Sequence, residues 1–148
     1  MSAHSLRERI LLAVLAAVRD AATGVGASLH RSPTVALARE QCPALVVFPE
    51  TDAITERAND RVSRLLTIRL TALARAMPPA TPEGEADRIL TAAHAALMAD
   101  VTLGGLALGI RELDCDFEIE EADELVATLP ARYAITYRTY ANDLSQQG

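Results

Sequence analysis

Residues 64–75, RLLTIRLTALAR, alternate. Leu66, Ile68, Leu70, Ala72 and Ala74 fall on one side, and Thr67, Arg69, Thr71 and Arg75 on the other. A period of two is the spacing of a strand with one face buried and one wet, whereas a helix would scatter these apolar residues around its whole circumference. So long a half-buried strand needs a covering layer and strand neighbours.

The covering layer is legible on either side of it. Ser5 and Glu8 form a capping box, in which the hydroxyl takes an orphan amide and the carboxylate reaches back to the cap. A helix therefore begins at Leu6. It repeats apolar residues at Leu6, Ile10, Val14 and Val18, with Leu11 and Leu15 beside them, until Thr23-Gly24 ends it. A second helix starts at Thr81 as N-cap with Pro82 in the first turn, where a missing amide costs nothing. It is expected to run to about Ala99, burying Ile89, Leu90, Ala93, Ala96 and Leu97.

ALVVF, Ala44 to Phe48, sits between two prolines and reads as a strand covered on both faces. A polar, charged loop is expected from there to about Val62. Gly24 to Pro43 reads as mostly irregular, with SLHR as a short strand. Two more alternating runs, about Leu106 to Glu120 and about Ala131 to Tyr140, form an antiparallel pair joined by EADELVATLP, a segment longer than a tight turn. The expected fold is a single α+β domain over residues 1–148: a mostly antiparallel sheet of four to five strands packed with two main helices.

Composition narrows the function classes. Half the residues are hydrophobic but only 3% are aromatic and none is Trp, so the core is aliphatic. All 14 basic residues are arginines, and 20 acids leave a net charge of -6, a balance that argues against wrapping nucleic acid. The apolar run Ile10 to Val18 is too short to span a bilayer, and Glu8, Arg19 and Asp20 beside it do not fit a secretory leader. Cys42 and Cys115 form no CxxC, which favours a reduced setting.

No catalytic constellation stands out. Gly104, Gly105 and Gly109 invite comparison with a phosphate loop, but there the order is strand, glycines, helix. Here a helix comes first, so the glycines meet the carbonyl end of its dipole, which repels anions. They read as a helix exit and a bend into a strand. His94, with Leu90 and Leu97 near it and no second ligand at metal spacing, reads as a histidine at the core boundary. Gly-x-Ser-x-Gly is absent.

The most unusual stretch is ELDCDFEIEE. Glu112, Asp114, Asp116, Glu118 and Glu120 occupy every second position, with Leu113, Cys115, Phe117 and Ile119 between them. On a regular strand one face is then acidic and the other apolar. Three readings stand: a solvated face neutralised by cross-strand arginines (Arg69, Arg75, Arg132, Arg138), a hard-oxygen metal site, or a functional surface such as the negative wall of a ring through which DNA passes. Tyr133, Tyr137, Arg138 and Tyr140 on the last strand are of interface-anchoring types, sheet packing being the stronger reading for Tyr133 and Tyr137.

Taken together, LRERILLAVLAAVRDA, CPALVVFPE, RLLTIRLTALAR, ALMADVTLGGLALGI and YAITYRTYANDL resemble, in order and kind, the tail terminator or minor tail proteins of tailed phages and prophages. The features that carry it are Leu103-Gly104-Gly105 after the second helix and Tyr137-Arg138 on the last strand. The resemblance implies a structural protein without catalysis or cofactor. It forms a ring, commonly of six copies, that stops tail-tube growth and offers a surface to the head. Its partners are then itself, the tail tube protein and a head-completion or connector protein, with no sequence-specific nucleic acid and no membrane. It is placed in the virion tail, and in the host cytoplasm during assembly. The acidic residues, with Arg69, Arg75, Tyr137, Arg138 and Tyr140, are the candidate interface or lumen set. A head-tail joining protein of the same virion, or a cellular ligand-binding module, is the alternative.

Overall fold

The computed structural model describes residues 4–37, 41–76, 79–121 and 125–148, the side chains of 120 and 121 excepted. Two helices cover one face of a seven-stranded sheet. The elements run α1 (Leu6–Gly24), β1 (Ser28–Arg31), β2 (Ala44–Ala58), β3 (Arg61–Arg75), α2 (Pro82–Met98), β4 (Gly109–Cys115), β5 (Glu118–Glu121), β6 (Leu125–Tyr140) and β7 (Asp143–Gln147). The order β1-β2-β3-β6-β4 is antiparallel except for β1 against β2, so the sheet is mixed.

The sheet is built on β3 and β6, which pair along their whole lengths from Arg61↔Tyr140 to Arg75↔Val126. The other edge of β6 is divided among β5, β4 and β7, which pair with its start, middle and end. Pro130 explains the first division. It has no N–H to give, and opposite it the chain leaves the ladder between β4 and β5, with only the Asp116 amide donating to the Pro130 carbonyl at 3.2 Å.

The apolar side of residues 64–75 falls as the period requires, while the side expected to be wet is half-buried, with Thr67 and Thr71 buried. Leu66, Ile68, Leu70, Ala72 and Ala74 are buried beneath the helices, together with Leu129, Tyr133 and Ile135 of β6. α2 lies over β3 and β6, and α1 lies beside α2. Small residues at Ala72, Ala74, Ala127 and Ala131 leave room for the helices to approach the sheet closely. Both helices begin where their caps place them, with the Ser5 hydroxyl accepting from the Glu8 amide at 3.1 Å and Thr81 accepting from the Gly84 amide at 3.2 Å. The capping box itself is incomplete. The Glu8 carboxylate turns away to take Arg31 of β1 at 2.5 and 2.7 Å, joining the helix to the edge strand.

Two segments differ from expectation. Residues 50–58 are strand rather than loop: β2 continues to Ala58 and turns through Asn59-Asp60 into β3, with Asn59 in the left-handed conformation at φ 58°. Past Phe48 this strand is mostly exposed, so its residues never needed an apolar face and the period is missing. EADELVATLP is likewise no long connection, since β6 already begins at Leu125. The additional strands raise the count to seven.

Because Leu129 is fully buried at the centre of the core, Leu129→Ala is expected to lower unfolding free energy by about 2–5 kcal/mol. A urea midpoint unchanged from the wild type would contradict this packing.

Candidate assembly surfaces

Glu112 does not share a face with the acids that follow it. Glu112 pairs with Tyr133 and Asp114 with the next residue of β6, Arg132, so Leu113 is an extra residue in the ladder. A bulge of this kind reverses the side on which the following residues project. Glu112 thus lies on the helix side, 3.9 Å from His94 Nδ1, while Asp114 lies on the open side of the sheet. Glu118, opposite Thr128, is on the open side too, and Asp116 sits in the break between β4 and β5. Glu120 is placed on β5, but its side chain lies outside the described residues. By register the positions of Asp114, Glu118 and Glu120 follow one another on the open side, so the acidic stripe continues past Leu113 and loses only Glu112.

Nor is the intervening set a buried apolar face. Only Cys115 packs against the core, whereas Leu113, Phe117 and Ile119 are 38%, 66% and 48% exposed. Burial, and then the negative charges around it, raise the Cys115 thiol above its ordinary pKa, which makes it a poor nucleophile at neutral pH.

Two arginines neutralise the middle of the open face. Arg132 grips Asp114 through two hydrogen bonds of 2.9 and 2.7 Å and lies 3.6 Å from Glu50. Arg69 stands 3.5 Å from the same Glu50 and stacks over the Phe48 ring at 4.6 Å. The cross-strand neutralisation expected of arginines is thus seen for Arg132, with Arg69 joined to it through Glu50, a residue inside the segment read as loop. Arg75 lines the open face at its far end with Glu118. Arg138 is exposed at the opposite end, its Nε 3.4 Å from the Ser63 hydroxyl.

The tyrosines separate. Tyr137 is 1% exposed and points into the core, donating its hydroxyl to Asp52, which also accepts from Arg7 Nη1 at 3.0 Å. Asp52 reaches that side because Glu50 is an extra residue in β2, between the pairs Pro49↔Ile68 and Thr51↔Thr67. Burial and the neighbouring carboxylate both raise the Tyr137 phenol well above its usual range. The fold itself occupies Tyr137, so it is not available as an interface anchor. Tyr133 is also buried and shares a 2.7 Å hydrogen bond with His94 Nδ1, which sits at the core boundary. Tyr140 remains at the surface, under the Arg61 guanidinium at 4.9 Å.

The glycine turn after α2 already holds an anion of its own. The Asp100 carboxylate accepts from the amides of Thr102 and Gly104 at 3.0 and 2.8 Å and from the Thr102 hydroxyl at 2.7 Å. These bonds hold its pKa below the usual carboxylate value. Gly104 and Gly105, at φ 72° and 94°, supply the left-handed backbone the turn requires. Elsewhere, a cleft of about 680 Å³ lies on the open face between residues 33–37 and the sheet, with Val46, Leu73 and Val126 among its walls. Among the described residues, no group of three or more metal-ligating side chains comes together, and no helix is long and apolar enough to cross a membrane.

The fold and these surfaces define an α+β subunit with one helix-covered and one open sheet face. No protein-family model and no curated protein sequence matches the chain. Among solved structures it is similar to a chain from the virion of a native gene transfer agent particle, with a TM-score of 0.56 at 14% identity over 85% of this chain and 92% of that one. At that identity the likeness shows the shared fold.

The Asp114 carboxylate lies below its ordinary pKa chiefly through its hydrogen bonds with Arg132. A depressed carboxylate stabilises the fold fully above its unfolded value, near about 3.9, and that contribution is lost as pH falls through the lower folded value. An NMR titration is expected to place the Asp114 midpoint below about 3.9 and to return it there in Arg132→Gln; a midpoint insensitive to that substitution would contradict the pairing.

Proposed function

We propose that this chain is a structural subunit of a phage-like virion, acting as a tail terminator: a ring that caps the tail tube, ends its polymerisation and presents a surface to the head. The observation that carries the reading is the match of fold over 92% of a chain from a gene transfer agent virion. That likeness takes in nearly the whole of the other chain, so the shared architecture is the subunit rather than a fragment of it. The order of elements, the Leu103-Gly104-Gly105 turn and the Tyr137-Arg138 strand end support the narrower assignment by their resemblance to tail terminators. In this reading the chain's chemistry is association, without catalysis or cofactor, and it works in the virion tail alongside a tube protein and a connector.

The dense internal pairing of charged groups fits a surface that must stay soluble until it meets its neighbours. Arg132 with Asp114 and Glu50, and Arg31 with Glu8, leave few charges of the mid-sheet unneutralised. One observation favours a second reading, a ligand-binding module: the cleft of about 680 Å³ on the open face has the size of a small-molecule site.

Native mass spectrometry of the purified chain is expected to show a closed species of about six subunits, the count the tail-terminator resemblance suggests and one compatible with the closed rings oligomers form. In an assembly reaction with tube protein, adding the chain is expected to shorten the mean tube length. A chain that stays monomeric, leaves tube length unaltered and is stabilised against heat by a small metabolite would favour the ligand-binding module instead.

A further inference from the structure

Toward the two ends of the sheet, some exposed charged residues have no ion-pair partner among the described residues. At one end the β4–β5 arm carries Asp116 and Glu118, both exposed and neither in an ion pair with any described residue. Among them stands Phe117, 66% exposed, with Ile119 and Leu125 roughly half exposed nearby in the same arm. Phe117 is one of only two phenylalanines in the chain, and a large apolar ring left in water amid unpaired charge is what an interface anchor looks like before it is covered.

At the other end, around the β2–β3 turn, the three arginines Arg57, Arg61 and Arg138 outnumber the exposed acids Glu56 and Asp60. Arg57 and Arg138 are exposed and have no carboxylate partner among the described residues, and Arg61 is held beside them by Asp60 and the Tyr140 ring. By register, Arg57 and Ile54 lie on the helix side of this tip, and Arg61 and Arg138 on the open side, so cationic groups flank it from both faces. Ile54, 44% exposed, supplies apolar ground on the helix side, beside Arg57. The two ends lie roughly 50 Å apart along β3, too far to meet within one chain.

We infer that these ends meet between copies: the arm bearing Phe117, Asp116 and Glu118 seats on the arginine-flanked β2–β3 tip of the next molecule. The inference rests on the ring reading above and names the contact that closes it. Two arms would repel each other, as would two tips, so the contact joins unlike surfaces and repeats in one sense around the assembly. Such a head-to-tail contact is the kind that generates rings rather than two-fold dimers. Arg57 and Arg138 bring planar guanidinium groups suited to bidentate capture of Asp116 and Glu118.

Charge exchange tests this directly. An arm variant carries Asp116→Arg and Glu118→Arg, and a tip variant carries Arg57→Glu and Arg138→Glu. All four positions are exposed, and thermal melting is expected to show both variants folded. In native mass spectrometry neither variant alone forms the ring, whereas a one-to-one mixture restores it with alternating copies. In an otherwise wild-type chain, Phe117→Ser raises the concentration needed for half assembly at least about tenfold. A wild-type ring whose variants still assemble singly, or whose mixture stays monomeric, overturns this contact and leaves the ring in place. A wild-type chain that stays monomeric overturns the ring and the contact together.

Discussion

The structure depends on the full-length pairing of β3 with β6. These strands supply most of the buried sheet face, and every other strand except β1, which pairs with β2, is placed by one or the other: β2 by β3, and β4, β5 and β7 by β6. Their inward residues set the floor on which both helices rest. Ala72, Ala74, Ala127 and Ala131 alternate there with larger residues such as Leu70, Leu129 and Ile135, which makes that floor uneven. A core almost without aromatics reaches close packing by this alternation of small and branched aliphatics, with Tyr133 and Tyr137 as its largest members.

Both tyrosines show what burial of a polar group demands. Each phenol has found a partner, His94 for one and Asp52 for the other. Asp52 in turn holds Arg7, so the start of α1, the outer half of β2 and the end of β6 are joined through one carboxylate. Truncating the Tyr137 phenol would leave the half-buried Asp52 carboxylate with one donor, Arg7, in place of two.

What could be read from the residues follows the distribution of burial. The helices and the faces of β3 were legible because one side of each is mostly apolar, which leaves a period in the sequence. β2 beyond Phe48 was not, because neither of its sides is covered. β1 was glimpsed only as SLHR, its four residues all half-buried, too short to show a period. The acidic stretch misled at its first member only: the ladder it enters contains one extra residue, which turns Glu112 away from the acids beyond it, and a pattern of letters does not show where a bulge lies. The consequence reaches the candidate surface. Asp114 and Arg132 meet as cross-strand partners, Tyr137 is withdrawn into the core, and the exposed Phe117 and Arg57 emerge only once strand faces and ends are known.

Leu113 is a residue the ladder does not need. The pairs on either side of it, Glu112↔Tyr133 and Asp114↔Arg132, are those an unbroken ladder would make if Leu113 were missing. A chain shorter by that single residue could thread the same partners in the same sequence. The arm is thus a place where length can drift by one without disturbing the scaffold that carries it, while the side chains beyond keep their aim.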